Sequence, residues 1–450
     1  MEQKKYFDSL VSTIERALNP GRFVPYGATW SFISDLEKVK EKIDDLVNNK
    51  QAEQSVSLYE IFLSGCYEKA NEIDDSGGNL GMFFDELFCS WVSARQKAGF
   101  SPEETVHQIL KWMDNDEYGF CYGIEKNLVG ILNPKEMLLF KSAFKDRFDK
   151  DFLSTGSEKP KRIYDYPYSV RHNADILKVI YIAKKNIPSY VSLCEKIGIS
   201  PRDCGNIATL YKDKLLFQDA LTWIEKGLDL ETKENWPNES ICGLAKMKRE
   251  LLTKLGQEKD ALESAWDEFK RYPSEYAYDE LIKYVPQNDS QCWHKKAIEE
   301  AKNKSLSGTM EICIKTKEWD ILNECIISAS HEQLEDITHS AIQKLAEVLV
   351  EKYPLSVAKV YRALGIQILK SKKSKYYEIA LEHFQKAKKL YYKTDCEKEW
   401  LSLVEDIRKK HSRKYSFIED FEKLVSGEYP EFTKSFVEKS REIWKKQVGG

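Results

Sequence analysis

The chain has 450 residues, 42% hydrophobic and 12% aromatic, with 32% charged and a net charge of −4. That apolar content excludes a disordered chain, and the length exceeds one ordinary core, so several domains or an elongated repeat stack are expected. Only 13 prolines and 21 glycines argue against a β-rich chain, which needs more turns.

The start, MEQKKYFDSL, places charges where a secretory leader would be apolar. No uncharged run approaches the roughly 18 residues of a membrane span. A cytoplasmic protein without membrane partners is expected. Charge is uneven: residues 1–160 carry 19 Lys+Arg against 27 Asp+Glu, leaving 50 against 46 in the remainder. The two regions are thus expected to present different surfaces.

In chain order, Phe7, Leu10, Val11, Ile14 and Leu18 form one helical apolar face, which Asn19-Pro20-Gly21 ends. A second helix follows from Trp30 to Leu46 and a third from Val56 to Ala70. The run Asp74-Asp75-Ser76-Gly77-Gly78-Asn79 is a sharp loop, after which Leu80, Phe83, Phe84, Leu87, Phe88 and Trp91 make the next stripe. Pro102-Glu103-Glu104 opens another helix at its first turn. This N-terminal acidic helical domain is expected over 1–152. Over 153–168 the text STGSEKPKRIYDYP loses periodicity and reads as a connection, or as a long crossing of the first domain, since Tyr164, Tyr166 and Tyr168 suit a solvated linker poorly.

From 169 to 425 the texture is that of two-helix repeats. The clearest unit lies in Leu251–Pro273, where Leu255-Gly256 closes one helix and Ala261, Ala265 and Phe269 recur every four residues along the next. Small residues there let a neighbouring helix approach while Trp266 and Phe269 fill the volume beside it. Looser pairs are Ile176–Ala183 with Tyr190–Ile197, and Cys204–Tyr211 with Phe217–Leu228. Shorter helices follow from Tyr276 to Ile342, then Leu345–Tyr353, Ala358–Leu369, Tyr376–Tyr392 and Glu397–Lys410. Residues 426–450 read as a C-terminal helix or tail. The expected fold is all-α: an α-solenoid of degenerate tetratricopeptide-like helix pairs after an N-terminal helical domain.

Chemical motifs are sparse. The ten cysteines stand singly, with no C-x-x-C spacing, so reduced core thiols are expected rather than zinc sites or disulfides. The Asp74–Asn79 loop lacks the sixth-position Gly of a calcium loop, and Gly77-Gly78-Asn79-Leu80-Gly81 lacks the Lys and Ser/Thr of a phosphate loop. Cys292-Trp293-His294 reads as packing, because residues two apart on a helix do not face one ion. Neither HExxH nor a nucleophile elbow is present. No catalytic, cofactor or metal residue is assigned, and no enzyme is expected.

One tract stands out by charge. Between Leu369 and Lys414 there are 14 Lys+Arg against seven Asp+Glu. Lys370, Lys372, Lys373 and Lys375 cluster in one loop, and Arg408, Lys409, Lys410, Arg413 and Lys414 at a helix end, with Tyr376, Tyr377, Tyr391, Tyr392 and Tyr415 interleaved. Cations with stacking rings suit nucleic acid; equally, cations suit helix C-termini and tyrosines fill grooves between helices.

Four stretches, RFVPYGATWSFISDLEKVKEKIDDL, EIDDSGGNLG, LGQEKDALESAWDEFKRYPS and YYEIALEHFQKAKKLY with EKEWLSLVEDIRKKHSRKYSFIEDFEKL, run in order from Arg22 to Leu424. They resemble an uncharacterised bacterial family of helical proteins related to the C-terminal region of SWIM zinc-finger proteins. The resemblance implies a helical repeat protein and carries no functional residue; the C-x-C…C-x-H zinc motif of the SWIM module is missing. A non-enzymatic scaffold or adaptor is expected, presenting a helical groove to a protein or peptide, with Tyr211, Lys212 and Arg249 among its polar and aromatic lining. The alternative is a nucleic-acid-binding accessory factor using the 369–414 surface.

Overall fold

The computed structural model describes residues 2–48, 51–156, 163–234, 241–337 and 349–428. The described residues are almost wholly helical; the one β feature among them is an isolated parallel bridge between Val24 and Ile73. The chain divides into two compact units, 1–251 and 252–450.

In the first unit the helices are α1 Glu2–Leu18, α2 Tyr26–Asn48, α3 Ala52–Lys69, α4 Asn79–Lys97, α5 Pro102–Asp114 and α6 Glu125–Ile131. They continue as α7 Pro134–Leu153, α8 Tyr168–Ala183, α9 Ile187–Ile197, α10 Pro201–Asp213, α11 Phe217–Glu234 and α12 Ile241–Lys254, which ends just past the boundary. The second unit holds α13 Glu258–Arg271, α14 Glu275–Ile282, α15 Ser290–Lys304, α16 Leu306–Thr316 and α17 Trp319–Ser328. It closes with α18 His331–Glu335, α19 Pro354–Lys370, α20 Tyr377–Lys393, α21 Glu397–His411 and α22 Tyr415–Ser426.

Helix starts follow local chemistry. Ser101, Asn133, Ser200 and Ser330 each close a capping box with Glu104, Glu136, Asp203 and Gln333, satisfying two free N–H groups reciprocally. Pro102, Pro134 and Pro201 take the first helical position, where a missing N–H costs nothing.

Helix ends reveal the repeat. In five helix–helix turns the residue just before the second helix donates its N–H to a carbonyl five positions back. The bonds are Asn186 to Tyr181 (2.9 Å), Leu216 to Tyr211 (3.0 Å), Gln257 to Leu252 (2.9 Å), Glu318 to Cys313 (2.9 Å) and Cys396 to Tyr391 (2.9 Å). The preceding residue is left-handed each time: Lys185, Leu215, Gly256, Lys317 and Asp395, with φ between 50° and 74°. This is the Schellman closure, and its recurrence joins successive helices into the pairs of a degenerate helical repeat. The expected all-α helical-repeat fold is observed.

The most extensive helix contacts are between sequence neighbours, α3 with α4, α7 with α8, α10 with α11 and α19 with α20, while α1 packs chiefly on α3, α5 on α7 and α6 on α8. A Cβ on Gly365 would stand 2.5 Å from the Phe384 ring, so only glycine lets α19 approach α20 as it does. The first unit's core runs without a break from Leu10 to Leu210. It passes the stretch read as a connection: Ile163 and Tyr166 are buried, Tyr166 stacks on Phe152 at 5.9 Å, and Tyr164 and Tyr168 stay exposed. In the Leu251–Pro273 stretch, Ala261, Ala265 and Phe269 are buried, and Gly256 with φ +74° ends the first helix. Residues 345–348 of the expected Leu345–Tyr353 helix lie outside the described residues, as does nearly all of 426–450.

Candidate interaction surfaces

The nine cations singled out by sequence sit at helix ends of the second unit. Lys370 ends α19; Lys372, Lys373 and Lys375 lie between α19 and α20; Arg408, Lys409 and Lys410 fall in the last turn of α21; Arg413 and Lys414 link it to α22. The two stretches meet. Lys414 Nζ reaches Tyr377 Oη at 3.3 Å, and His411 is held below its usual pKa first by burial and then by the cations Lys414, Lys410 and Lys370. Much of this charge is answered from within the unit. Arg408 forks onto Glu422 at 2.8 and 2.6 Å, Lys370 pairs with Glu335 at 3.0 Å and Lys410 with Asp406 at 3.5 Å. Lys375 lies 4.9 Å from the Tyr376 ring. Lys372, Lys373, Lys409 and Arg413 are exposed and have no ion pair among the described residues. Of the tyrosines, Tyr415 is 80% exposed while Tyr391 is fully buried. The structure thus brings Lys370, Lys410 and Lys414 together around His411 and leaves four of the nine cations without an ion pair among the described residues.

The groove lining expected on first helices is corrected in part. Tyr211 is half-buried and Lys212 pairs with Glu250 at 2.8 Å, but Arg249 is completely buried and lines nothing.

The first unit holds a surface that periodicity did not flag. The last turns of α1 and α3 run together, and a Cβ on Gly65 would stand 2.3 Å from Leu18 Cδ1. Along this contact runs a groove of about 690 Å³, floored by Ile14, Leu18 and Ile61 and walled by Glu15, Glu60 and Glu68. Glu60 accepts from Trp91 Nε1 at 3.1 Å and lies 3.4 Å from Arg95 Nη1. Glu15 and Glu68 are exposed with no ion pair among the described residues.

Beyond Asn19, at the end of this groove, the chain turns into the aromatic corner of RFVPYGATW. Val24 pairs with the strand-like stretch after α3: its N–H donates to Glu72 O at 2.9 Å and its carbonyl accepts from Asp74 N at 2.9 Å. Thr29, buried, donates to Asp74 O at 3.0 Å. These bonds fix the start of α2 while leaving Phe23, Tyr26 and Trp30 exposed at 56%, 62% and 64%. Met82, on the first turn of α4, is 67% exposed. The acidic loop has a structural role here. Asp75 accepts from the backbone of Leu80 and Gly81 at 2.8 and 3.2 Å, occupying the N–H groups that an anion would need, and Asp74 accepts from Ser76.

One side-chain relay escaped the sequence reading. The Tyr278 hydroxyl meets His294 Nδ1 at 2.8 Å, and His294 Nε2 meets Glu318 Oε1 at 3.1 Å. The partners of His294 lie 16 residues before and 24 after it, beyond the reach of any motif spacing around Cys292-Trp293-His294. Among the described residues, no group of three His, Cys, Asp or Glu is arranged to hold a metal ion. Nine cysteines among the described residues are free; burial pushes the Cys66 and Cys313 thiols up to about 12. No described helix is long and apolar enough to cross a membrane.

Fold and surfaces together define an all-α helical-repeat protein with charged and aromatic faces at helix ends. The chain belongs to the family of unknown function DUF6880, which it matches over residues 10–420. No curated protein matches it. Among solved structures it is similar to a "Circular tandem repeat protein with novel repeat topology and enhanced subunit contact surfaces". The identity is 13%, covering 94% of this chain and 96% of that one, with a TM-score of 0.23.

Proposed function

We propose that this protein is a non-enzymatic scaffold that holds a protein partner against its first unit. The observation that carries this reading is the corner of Phe23, Tyr26, Trp30 and Met82. These are four large apolar side chains, each more than half exposed, mounted on backbone that the Val24–Ile73 bridge and the Thr29 bond hold in place. Exposed large apolar side chains on rigid elements mark where partners dock, and aromatic side chains supply much of the binding energy at such sites. Helical-repeat architecture supports the same reading, and the free thiols among the described residues fit a reducing, cytoplasmic setting. Immobilised full-length protein is expected to retain one protein from its native extract at near-equal amounts, and Tyr26→Ala with Trp30→Ala to abolish retention. Recovery of nothing stoichiometric overturns the reading.

A second reading, nucleic-acid contact, rests on Lys372, Lys373, Lys409 and Arg413, which have no ion pair among the described residues, beside the exposed Tyr415. It requires a mobility shift at low salt that fades steeply as salt rises and is lost in Lys372→Glu with Lys373→Glu. Salt-independent binding, or none, removes it.

A further inference from the structure

From the α1–α3 groove we infer the chemistry of the partner: a cationic amphipathic segment lies along it, with Lys or Arg toward Glu15 and Glu68 and apolar side chains on Ile14, Leu18 and Ile61. This deepens the scaffold reading and rests on it.

Three observations converge. The first is shape: the groove is a volume of about 690 Å³ along the α1–α3 contact, and Ser57 and Ser64 on its α3 wall are small enough to admit a neighbouring segment. The second is charge. Glu60 is already paired with Arg95 at 3.4 Å and Lys69 with Glu72 at 3.1 Å, which leaves Glu15 and Glu68 as the groove carboxylates with no ion pair among the described residues. The surrounding region is acidic as a whole, with 19 Lys+Arg against 27 Asp+Glu over 1–160. An anionic partner is repelled on approach and a cationic one is steered in. The third is continuity. The groove ends at Asn19 and Lys69, and the chain runs from these into Phe23 and Ile73, the two sides of the aromatic corner. A segment leaving the groove meets exposed rings, whose faces attract Arg or Lys as well as apolar side chains.

The groove tolerates few other occupants. Nucleic acid is excluded by charge, and a small apolar ligand finds three carboxylates around a shallow floor. Within a helix-in-groove mode the acidic walls also set specificity, since like charges placed across such an interface reject the wrong partner.

The test is fluorescence polarisation with full-length protein and a labelled peptide of Lys and Leu at helical spacing, against the same peptide with Glu in place of Lys. Binding of the Lys peptide alone is expected, weakening as salt rises. Glu15→Lys with Glu68→Lys, both on exposed positions, is expected to weaken it by about tenfold or more. Ser64→Trp keeps every charge and fills the groove, so it must weaken binding too. Glu37→Lys with Glu41→Lys reverses as much charge on exposed positions of α2 and must leave affinity within about twofold. Loss in the α2 variant equal to that in the groove variant, or retention in Ser64→Trp, overturns the groove assignment while the scaffold reading stands on its own retention experiment. A mass shift to a dimer that competes with the peptide also overturns it, because the groove then belongs to a second copy.

Discussion

The two units place opposite charges at their helix ends and treat them differently. In the second unit the basic residues are numerous, yet Arg408, Lys410 and Lys370 are each drawn onto a carboxylate of Glu422, Asp406 or Glu335. Lys388 donates to the terminal carbonyls of Leu424 and Val425. In the first unit Glu15 and Glu68 face the groove with no ion pair among the described residues. A tally of charge therefore misjudges both surfaces. What decides is whether the opposite charge stands three or four residues along the helix, or on the adjacent helix end, and helix C-termini themselves consume cations.

The same contrast runs inside the units, and the largest predicted effects test it there. Lys178 and Asp203 pair at 2.9 Å with side chains only 10% and 4% exposed, and Asp203 also accepts from Tyr190 and Ser200. Lys178→Met strands a buried carboxylate and is expected to cost about 3–5 kcal/mol, read from urea denaturation; adding Asp203→Asn recovers a large part of it. In the second unit Arg362 pairs with Glu335 at 2.7 Å, but Glu335 also holds Lys370 at 3.0 Å. Arg362→Met leaves that carboxylate with one cation near solvent, so the loss is expected to be about half as large. Equal losses break the comparison.

A smaller effect isolates the burial of one carboxylate in the first unit. Asp85 on α4 is half-buried with one carboxylate oxygen lacking a hydrogen bond, and burial pushes its pKa up to about 6, opposed by Lys126. Between the ordinary carboxylate range and pH 6 the folded protein holds a proton that the unfolded chain releases, so stability falls as pH rises through that window and the penalty is complete above it. Asp85→Asn is expected to stabilise by about 1 kcal/mol at pH 7.5, after discounting for solvent screening, and to change nothing near pH 4. Urea midpoints at the two pH values check this; a gain of the same size at both places its origin in packing.

How much of this was legible follows from the kind of interaction involved. Apolar stripes at helical spacing are one-dimensional, so the faces of α1 to α4 and the Ala261-Ala265-Phe269 core of α13 could be read directly. Pro at the first helical position marked α5 in the same way. The groove was not readable, because Glu15 and Glu68 belong to different helices and nothing along the chain says that Gly65 brings those helices together. The Tyr278–His294–Glu318 relay was hidden for the same reason. The cations of 369–414 were found by composition, but which of them stay open depends on Glu335 and Glu422, outside that tract.

The repeat turns give the smallest effect and the most direct comparison between units. Only Gly256 betrays its turn in the sequence; Leu215 in the first unit and Lys317 in the second adopt the same left-handed geometry, with φ of 61° and 62°, against their own Cβ. Leu215 is 74% exposed, so little packing compensates it. Leu215→Gly and Lys317→Gly each remove a Cβ clash of about 1 kcal/mol and return part of it through the greater freedom of glycine in the unfolded chain, for a net gain of a few tenths. Gly256→Ala installs the clash and is expected to lose about 1 kcal/mol. Denaturation midpoints of the three variants check this. If the turns are one structural device used in both units, the two gains match; a gain at Lys317 with a loss at Leu215 shows that the leucine contributes contacts of its own, and the repeat is then unequal at the one feature by which it is recognised.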